Sequence, residues 1–254
     1  GNDMMDLNLL SEEVRREMLA CAEEAVPSEM CGVLVFSYEG YEFLPLSNCA
    51  ENPHETFEIS ADDWMAAERV GEIVAVVHSH PRGEPFLSGA DRQMQVETGL
   101  PWILVTQGRL KLFRPVPHLR GRVFEYGKTD CGTLVRDAFM LMGLVFPDHP
   151  RGDIDEDAAA GFWEKHLENC GFSRVSDGLC AGDVVLTATG GHASHAVLYL
   201  GNDWMLHHAY NQLSCRVPYT RYWADVTHSV WRHPDFEPAM MQALENDFIH
   251  MEQV

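Results

Sequence analysis

Two hydrophobic periods alternate along this chain, and the switches between them mark out its elements. From Ser11 to Glu24 the apolar residues recur at helical spacing, with Ser11 placed to cap the helix and Pro27 to break it. CGVLVFS (31–37) and YEFLPLS (41–47) have the composition of strands and are joined by a tight turn at Glu39-Gly40. FEISADDWMAAERV returns to helical spacing behind a cap near Ser60. IVAVVHSH (73–80) is β-branched and predicts a strand buried on both faces until it reaches its histidines. Ser88 to Glu97 suits a helix that Gly99-Leu100-Pro101 ends, and WILVTQ and LKLFRPV predict two more strands around Gly108. The result is an alternating α/β unit of about a hundred residues.

The texture then changes. PVPHLRGR (115–122) holds two prolines and a glycine and reads as a linker, so the expected domains are 1–117 and 118–254. Thr129 to Leu144 predicts a strong helix with Asp130 and Cys131 at its start. RGDIDEDAAA (151–160) reads as an acidic loop, and Phe162 to Asn169 as a helix. GDVVLTAT, HAVLYLGN and WMLHHA are strand-like with short turns, and Met240 to Val254 suits a short helix. Helices first and strands later make the second half an α+β domain. No segment repeats.

Composition narrows the function classes. With 46% hydrophobic residues the chain can build packed cores. A net charge of −21, from 39 acidic and 18 basic residues, excludes a general nucleic-acid binder and disfavours an anionic membrane. Seven cysteines without a C-x-x-C predict buried thiols in a reducing compartment, with neither a disulfide framework nor a zinc ribbon. The acidic start, GNDMMDLNLLSEEVRREM, has no apolar core and is not expected to act as a signal peptide. The longest apolar run, AFMLMGLVF (138–146), is too short for a membrane segment.

Two constellations carry chemistry. Residues i and i+2 of a strand share a face, so His78 and His80 project together and can grip a transition metal. Asp91, in the first turn of the next helix, adds a carboxylate and leaves a fourth position open, as in catalytic zinc sites. Ser88 is placed to hydrogen-bond a developing oxyanion, and Glu29, just before the first strand, is the best candidate for general base. The string H-S-H-P-x6-S-x2-D with an upstream Glu resembles the JAB/MPN (JAMM) metalloprotease family over roughly residues 8 to 115. That resemblance implies a deaminase-like fold and Zn²⁺. It makes His78, His80 and Asp91 the ligands and Glu29 the activator of water for hydrolysis of a peptide or isopeptide amide.

In the second half, Cys131 sits in the first turn of a helix, where free N–H groups and the dipole favour a thiolate. His195 opens a strand, and His207 and His208 follow across a turn at Gly201-Asn202-Asp203, so one of that pair falls beside His195 while the other faces away. D-C-G-T-L-V-R, G-D-V-V-L, H-A-V-L-Y-L-G-N and L-H-H-A resemble the NlpC/P60 family of papain-like cysteine peptidases. By that resemblance Cys131 is the nucleophile and His195 the base. A third polar residue, His207 by offset or His208 by alignment of the H-A dipeptide, orients the base. The family's usual D-C-S-G is D-C-G-T here, and its oxyanion tyrosine corresponds to Phe124 or Tyr126. The pairing of both domains, with D-C-x-T-L-V-R-D and L-S-x-R (Leu213, Ser214, Arg216), resembles the tail assembly protein K family of long-tailed phages. It implies peptidoglycan stem peptides and other tail-tip proteins as partners. It also implies a place in host cytoplasm during assembly and then in the virion tail tip.

Overall fold

Serines start the helices of the N-terminal half. Ser11, Ser60 and Ser88 each have extended backbone and accept, through Oγ, the amides of Val14, Asp63 and Asp91. The helices they cap are α1 (Glu12–Ala25), α2 (Ala61–Val70) and α3 (Gly89–Thr98). The computed structural model describes residues 5–147, 157–158 and 160–249, which divide into units 1–116 and 117–254. Most of the expected acidic loop at 151–160, and the expected helix beyond residue 249, lie outside the described residues.

The first unit is one five-stranded sheet: β1 (Cys31–Ser37), β2 (Gly40–Leu46), β3 (Glu72–Ser79), β4 (Trp102–Thr106) and β5 (Arg109–Phe113), in the order β2-β1-β3-β4-β5. Only β3 and β4 run parallel, with α3 in the connection between them. Successive residues of β1 face opposite layers. Leu34 joins Val14 and Met18 of α1 on one side, while Val33 and Val35 meet Ala67 of α2 on the other. Burial in β3 does not stop at the histidines as the sequence suggests: it deepens along the strand, and His78 and His80 are both buried. The reason is that His80, one residue past the strand, still donates its amide to Val105 and stays inside the sheet's edge.

The second unit packs α4 (Cys131–Leu141) and α5 (Phe162–Asn169) with a six-stranded antiparallel sheet. Its strands are β6 (Ser173–Val175), β7 (Val184–Thr187), β8 (His195–Gly201), β9 (Trp204–His207), β10 (Cys215–Pro218) and β11 (Thr227–Arg232), ordered β10-β9-β8-β7-β11-β6. The apolar runs expected as strands became the central β7, β8 and β9. The edge strands β6 and β10, and β11, have no such run to announce them. Helix α4 is shorter than expected because Asp130 caps it: Asp130 Oδ1 accepts from the Thr133 amide and Thr133 Oγ1 from the Asp130 amide, while Gly143 at φ 86° follows its end.

The segment read as a linker is a structural part of this unit. Leu119, Arg120 and Arg122 are buried, Ser214 Oγ donates to the Leu119 carbonyl, and the Arg122 amide donates back to Ser214 Oγ. Two prolines and a glycine give the composition of a connector, but the arginines between them are consumed by burial. Arg122 binds Asp137 of α4 at 2.7 Å and the carbonyls of Pro117 and His118. A short helix α6 (Arg221–Asp225) precedes β11, and the later helix α7 (Met241–Phe248) fastens the same segment. Asp247 of α7 accepts from the Leu119 amide at 2.8 Å and contacts His118, and Arg120 donates to the Phe248 carbonyl. No helix among the described residues is long and apolar enough to cross a membrane.

Candidate functional site

In the first unit three elements meet at one point. His78 and His80 share a face, and Ser79 between them points away: its Oγ accepts from the Met30 amide at 2.8 Å, and its amide donates to the Met30 carbonyl. That lock ties the residue after Glu29 to the strand that carries the imidazoles. Asp91 enters from α3, where its Oδ2 closes the capping box on the Ser88 amide at 2.9 Å. The same oxygen lies 3.1 Å from His78 Nε2 and 3.0 Å from His80 Nε2. Donor atoms of Glu29, His78 and His80 lie within 4.8 Å of one another. Ser88 Oγ is occupied as an acceptor by the Asp91 amide, which leaves its hydroxyl hydrogen to give.

The charges in this cluster follow from its burial. His80 Nδ1 is 3.0 Å from the Glu84 carbonyl, which only accepts, so that nitrogen carries a hydrogen. A neutral ring would then turn the Nε2 lone pair toward the Asp91 carboxylate. Only a proton or a metal cation between them makes that approach favourable. Burial works against charge on His80, but the hydrogen bond and charge of Asp91 outweigh it and lift the ring to about 9. Burial first, then the charge of Asp91, pushes Glu29 up to about 8. Burial also draws His78 down; its ring is boxed by Phe57 and Trp102, with centroids at 4.9 and 5.3 Å. Asp91 is itself pulled upward by burial, yet the two imidazoles hold it well below the usual carboxylate range. Glu29 Oε1 is buried with no hydrogen-bond partner. Two imidazole nitrogens, a carboxylate oxygen and an unpartnered second carboxylate suit zinc.

In the second unit, Cys131 is the first residue of α4, and Asp130 before it spends both carboxylate oxygens on backbone amides, of Thr133 and Gly127. Cys131, His195 and His208 line one cavity of about 300 Å³, with Phe124, Tyr126 and Trp163 among its walls. His195 on β8 and His207 on the neighbouring β9 bring Nε2 and Nδ1 to 3.0 Å. Strand alternation was expected to turn one of His207 and His208 away. It does not, because β9 ends at His207: His208 lies past the strand, still lines the cavity, and bonds the Gln212 carbonyl through Nε2 at 2.8 Å. Burial lowers His195 to about 3 and His207 to about 4, with further lowering from the neighbouring histidines. Both rings are therefore neutral at ordinary pH, and a hydrogen given by one to the other fixes the His195 tautomer. Trp223 packs its ring against both. Of the two candidates for the family tyrosine, Phe124 and Tyr126 both line the cavity, and the Tyr126 hydroxyl donates to Asp157 at 2.8 Å.

The structure thus gathers His78, His80, Asp91, Glu29 and Ser88 in one unit, and Cys131, His195, His207 and His208 in the other. Sequence reasoning passed over Ser79, Asn48 and Trp223. Ser79 was visible as the residue alternating between the two histidines. Asn48 reaches Glu29 across 19 residues, and Trp223 meets His195 and His207 from another part of the chain, so neither link leaves a local pattern.

Comparison with known proteins agrees with this division. Residues 11–116 match the family of prokaryotic homologs of the JAB domain, and residues 121–232 match the NlpC/P60 family. Over 193 residues the chain is 45% identical to tail tip assembly protein K of Escherichia phage lambda, which covers 75% of this chain and 97% of the relative. The tail tip assembly protein K of Escherichia phage N15 is 32% identical over 228 residues, 86% of this chain and 93% of the relative. A desampylase of Haloferax volcanii is 28% identical over 114 residues, 40% of this chain and 82% of the relative.

Proposed function

The chain belongs to the tail tip assembly protein K family, and on that premise we propose that it is a phage tail-tip hydrolase with two separate reaction centres. The C-terminal centre is a thiol endopeptidase that cuts peptidoglycan stem peptides after D-glutamyl, beside diaminopimelate. One observation carries this reading: Cys131 and His195 line a single cavity, and His207 is bonded to His195. If His195 Nε2 donates to His207, its Nδ1 is left with the lone pair that accepts the thiol proton. The Cys131 sulfur, at the positive end of α4, then attacks the scissile carbonyl, and the proton passes from His195 to the leaving amine. His195 next takes a proton from water, which cleaves the acyl-enzyme and restores the thiol.

The N-terminal centre is a zinc-dependent hydrolase of a peptide or isopeptide bond. His78, His80 and Asp91 would hold the metal, which when bound would supply a Lewis acid and make water easier to deprotonate. Glu29 accepts a proton from the attacking water and delivers it to the leaving amine, and the Ser88 hydroxyl donates to the carbonyl oxygen as charge develops there. Partners are other tail-tip proteins, met in the host cytoplasm during assembly, and the particle then presents the cleft to the wall. This removes any need for positive charge to find an anionic polymer.

Digestion of purified sacculi and muropeptides, with mass analysis of the products, tests the assignment. Wild type and His78→Ala release stem fragments, and Cys131→Ala loses about 10³-fold or more in rate. Intact muropeptides after treatment with wild type would instead favour an assembly role without turnover.

A further inference from the structure

We infer that Asn48 is a positioning residue for the N-terminal centre, holding Glu29 in place through the loop 48–58. The inference rests on the reading of Glu29 as proton acceptor. A single amide group does the stitching. Asn48 Nδ2 donates to the Glu29 carbonyl at 3.1 Å and to the Thr56 carbonyl at 3.0 Å, and approaches the Pro53 carbonyl at 3.4 Å. Its Oδ1 accepts from the amides of Ala50 at 3.0 Å and Glu58 at 3.2 Å. Both ends of the side chain are saturated, and every partner is main chain. The loop returns the contact: the Glu29 amide donates to the Pro53 carbonyl at 2.7 Å.

Glu29 is therefore held on both sides of its α-carbon. Its amide before the α-carbon and its carbonyl after it both bind the Asn48 loop, and the next residue, Met30, is locked to Ser79 between the two histidines. Its carboxylate has no such support, since Oε1 is buried without a hydrogen bond. The backbone alone must aim it. The same loop carries Phe57, whose ring lies tilted against His78 with centroids 4.9 Å apart. Asn48 thus fixes the proton acceptor and the wall of one imidazole together, through hydrogen bonds that all end on main-chain atoms.

The test uses the full chain loaded with Co²⁺, whose visible spectrum reports coordination and the water held beside it, in four forms: wild type, Asn48→Ala, Glu29→Gln and the double variant. Asn48→Asp is added because it keeps the Oδ1 acceptor and turns the donor into a charged acceptor facing the same carbonyls. We expect Asn48→Ala and Asn48→Asp to keep Co²⁺ affinity within threefold of wild type while their spectra move toward that of Glu29→Gln. The double variant should match Glu29→Gln with no further change. A metal-free readout runs alongside: hydrogen exchange at the Glu29 amide rises at least tenfold in both Asn48 variants. Wild-type spectra with an unchanged Glu29 amide in both Asn48 variants would overturn the inference, as would an equal spectral change in the Glu29→Gln background. Failure of wild type to bind Co²⁺ would sink the zinc reading instead, and the exchange arm would still decide the role of Asn48.

Discussion

His207 illustrates how much one side chain can set. Burial keeps both it and His195 neutral, so their 3.0 Å contact is a hydrogen bond between neutral rings and selects the tautomer of His195. Losing it frees His195 to rotate and to present the wrong nitrogen. His207→Ala is expected to lower kcat on muropeptides about 100-fold with KM changed less than threefold, and His207→Asn to recover most of the loss. A matching loss in both variants would show that bulk, and not the hydrogen bond, is what matters. His208 offers the contrast. Its bond goes to the Gln212 carbonyl, so His208→Ala should leave the tautomer intact and act through the shape of the cavity.

At the scale of elements, α4 presents the thiol and the 117–122 segment holds α4. Arg122 joins the two through a buried 2.7 Å ion pair with Asp137. Asp137 keeps a second cation, since Arg136 Nε lies 2.9 Å from its Oδ1, so Arg122→Met removes one charged hydrogen bond and should cost about 2 kcal/mol in urea unfolding followed by a probe in this unit. This segment also shows where the sequence stops being legible. Caps at Ser11, Ser60 and Ser88, the β-branched run into His78 and the apolar β7, β8 and β9 are local features, written in consecutive residues. So were the reacting groups, because metal ligands at i and i+2 and a thiol at a helix start depend on short-range geometry. Arg120 and Arg122 looked like connector residues because their partners, Asp137 and Phe248, lie far along the chain. Strands β6, β10 and β11 were missed for a related reason: pairing with a neighbour, not apolar content, makes them strands. His208 escaped the alternation rule only because β9 ends one residue early.

For the whole molecule, the two units should respond oppositely to pH when metal is chelated. Glu29 at about 8 and His80 at about 9 both lie above their ordinary values of 4.5 and 6.5. Groups raised in this way add stability below the unfolded value and lose it as pH climbs through the folded one. Glu29 therefore withdraws its share between pH 4.5 and 8 and His80 between pH 6.5 and 9, so above pH 6.5 both groups weaken the first unit. His195 at about 3 and His207 at about 4 are lowered from 6.5, so their contribution is complete above that value and disappears as pH falls through the folded values. Amide exchange in β3 and in β8, followed against pH, separates the two trends; steady protection of β3 from pH 6.5 to 9 would contradict the clustering of Glu29 with His80. The grip of Asp247 on the Leu119 amide, across 128 residues, has a consequence in time. Leu119 is translated 128 residues before Asp247, so a nascent chain carries Cys131 beside a segment that has yet to meet its partner in α7.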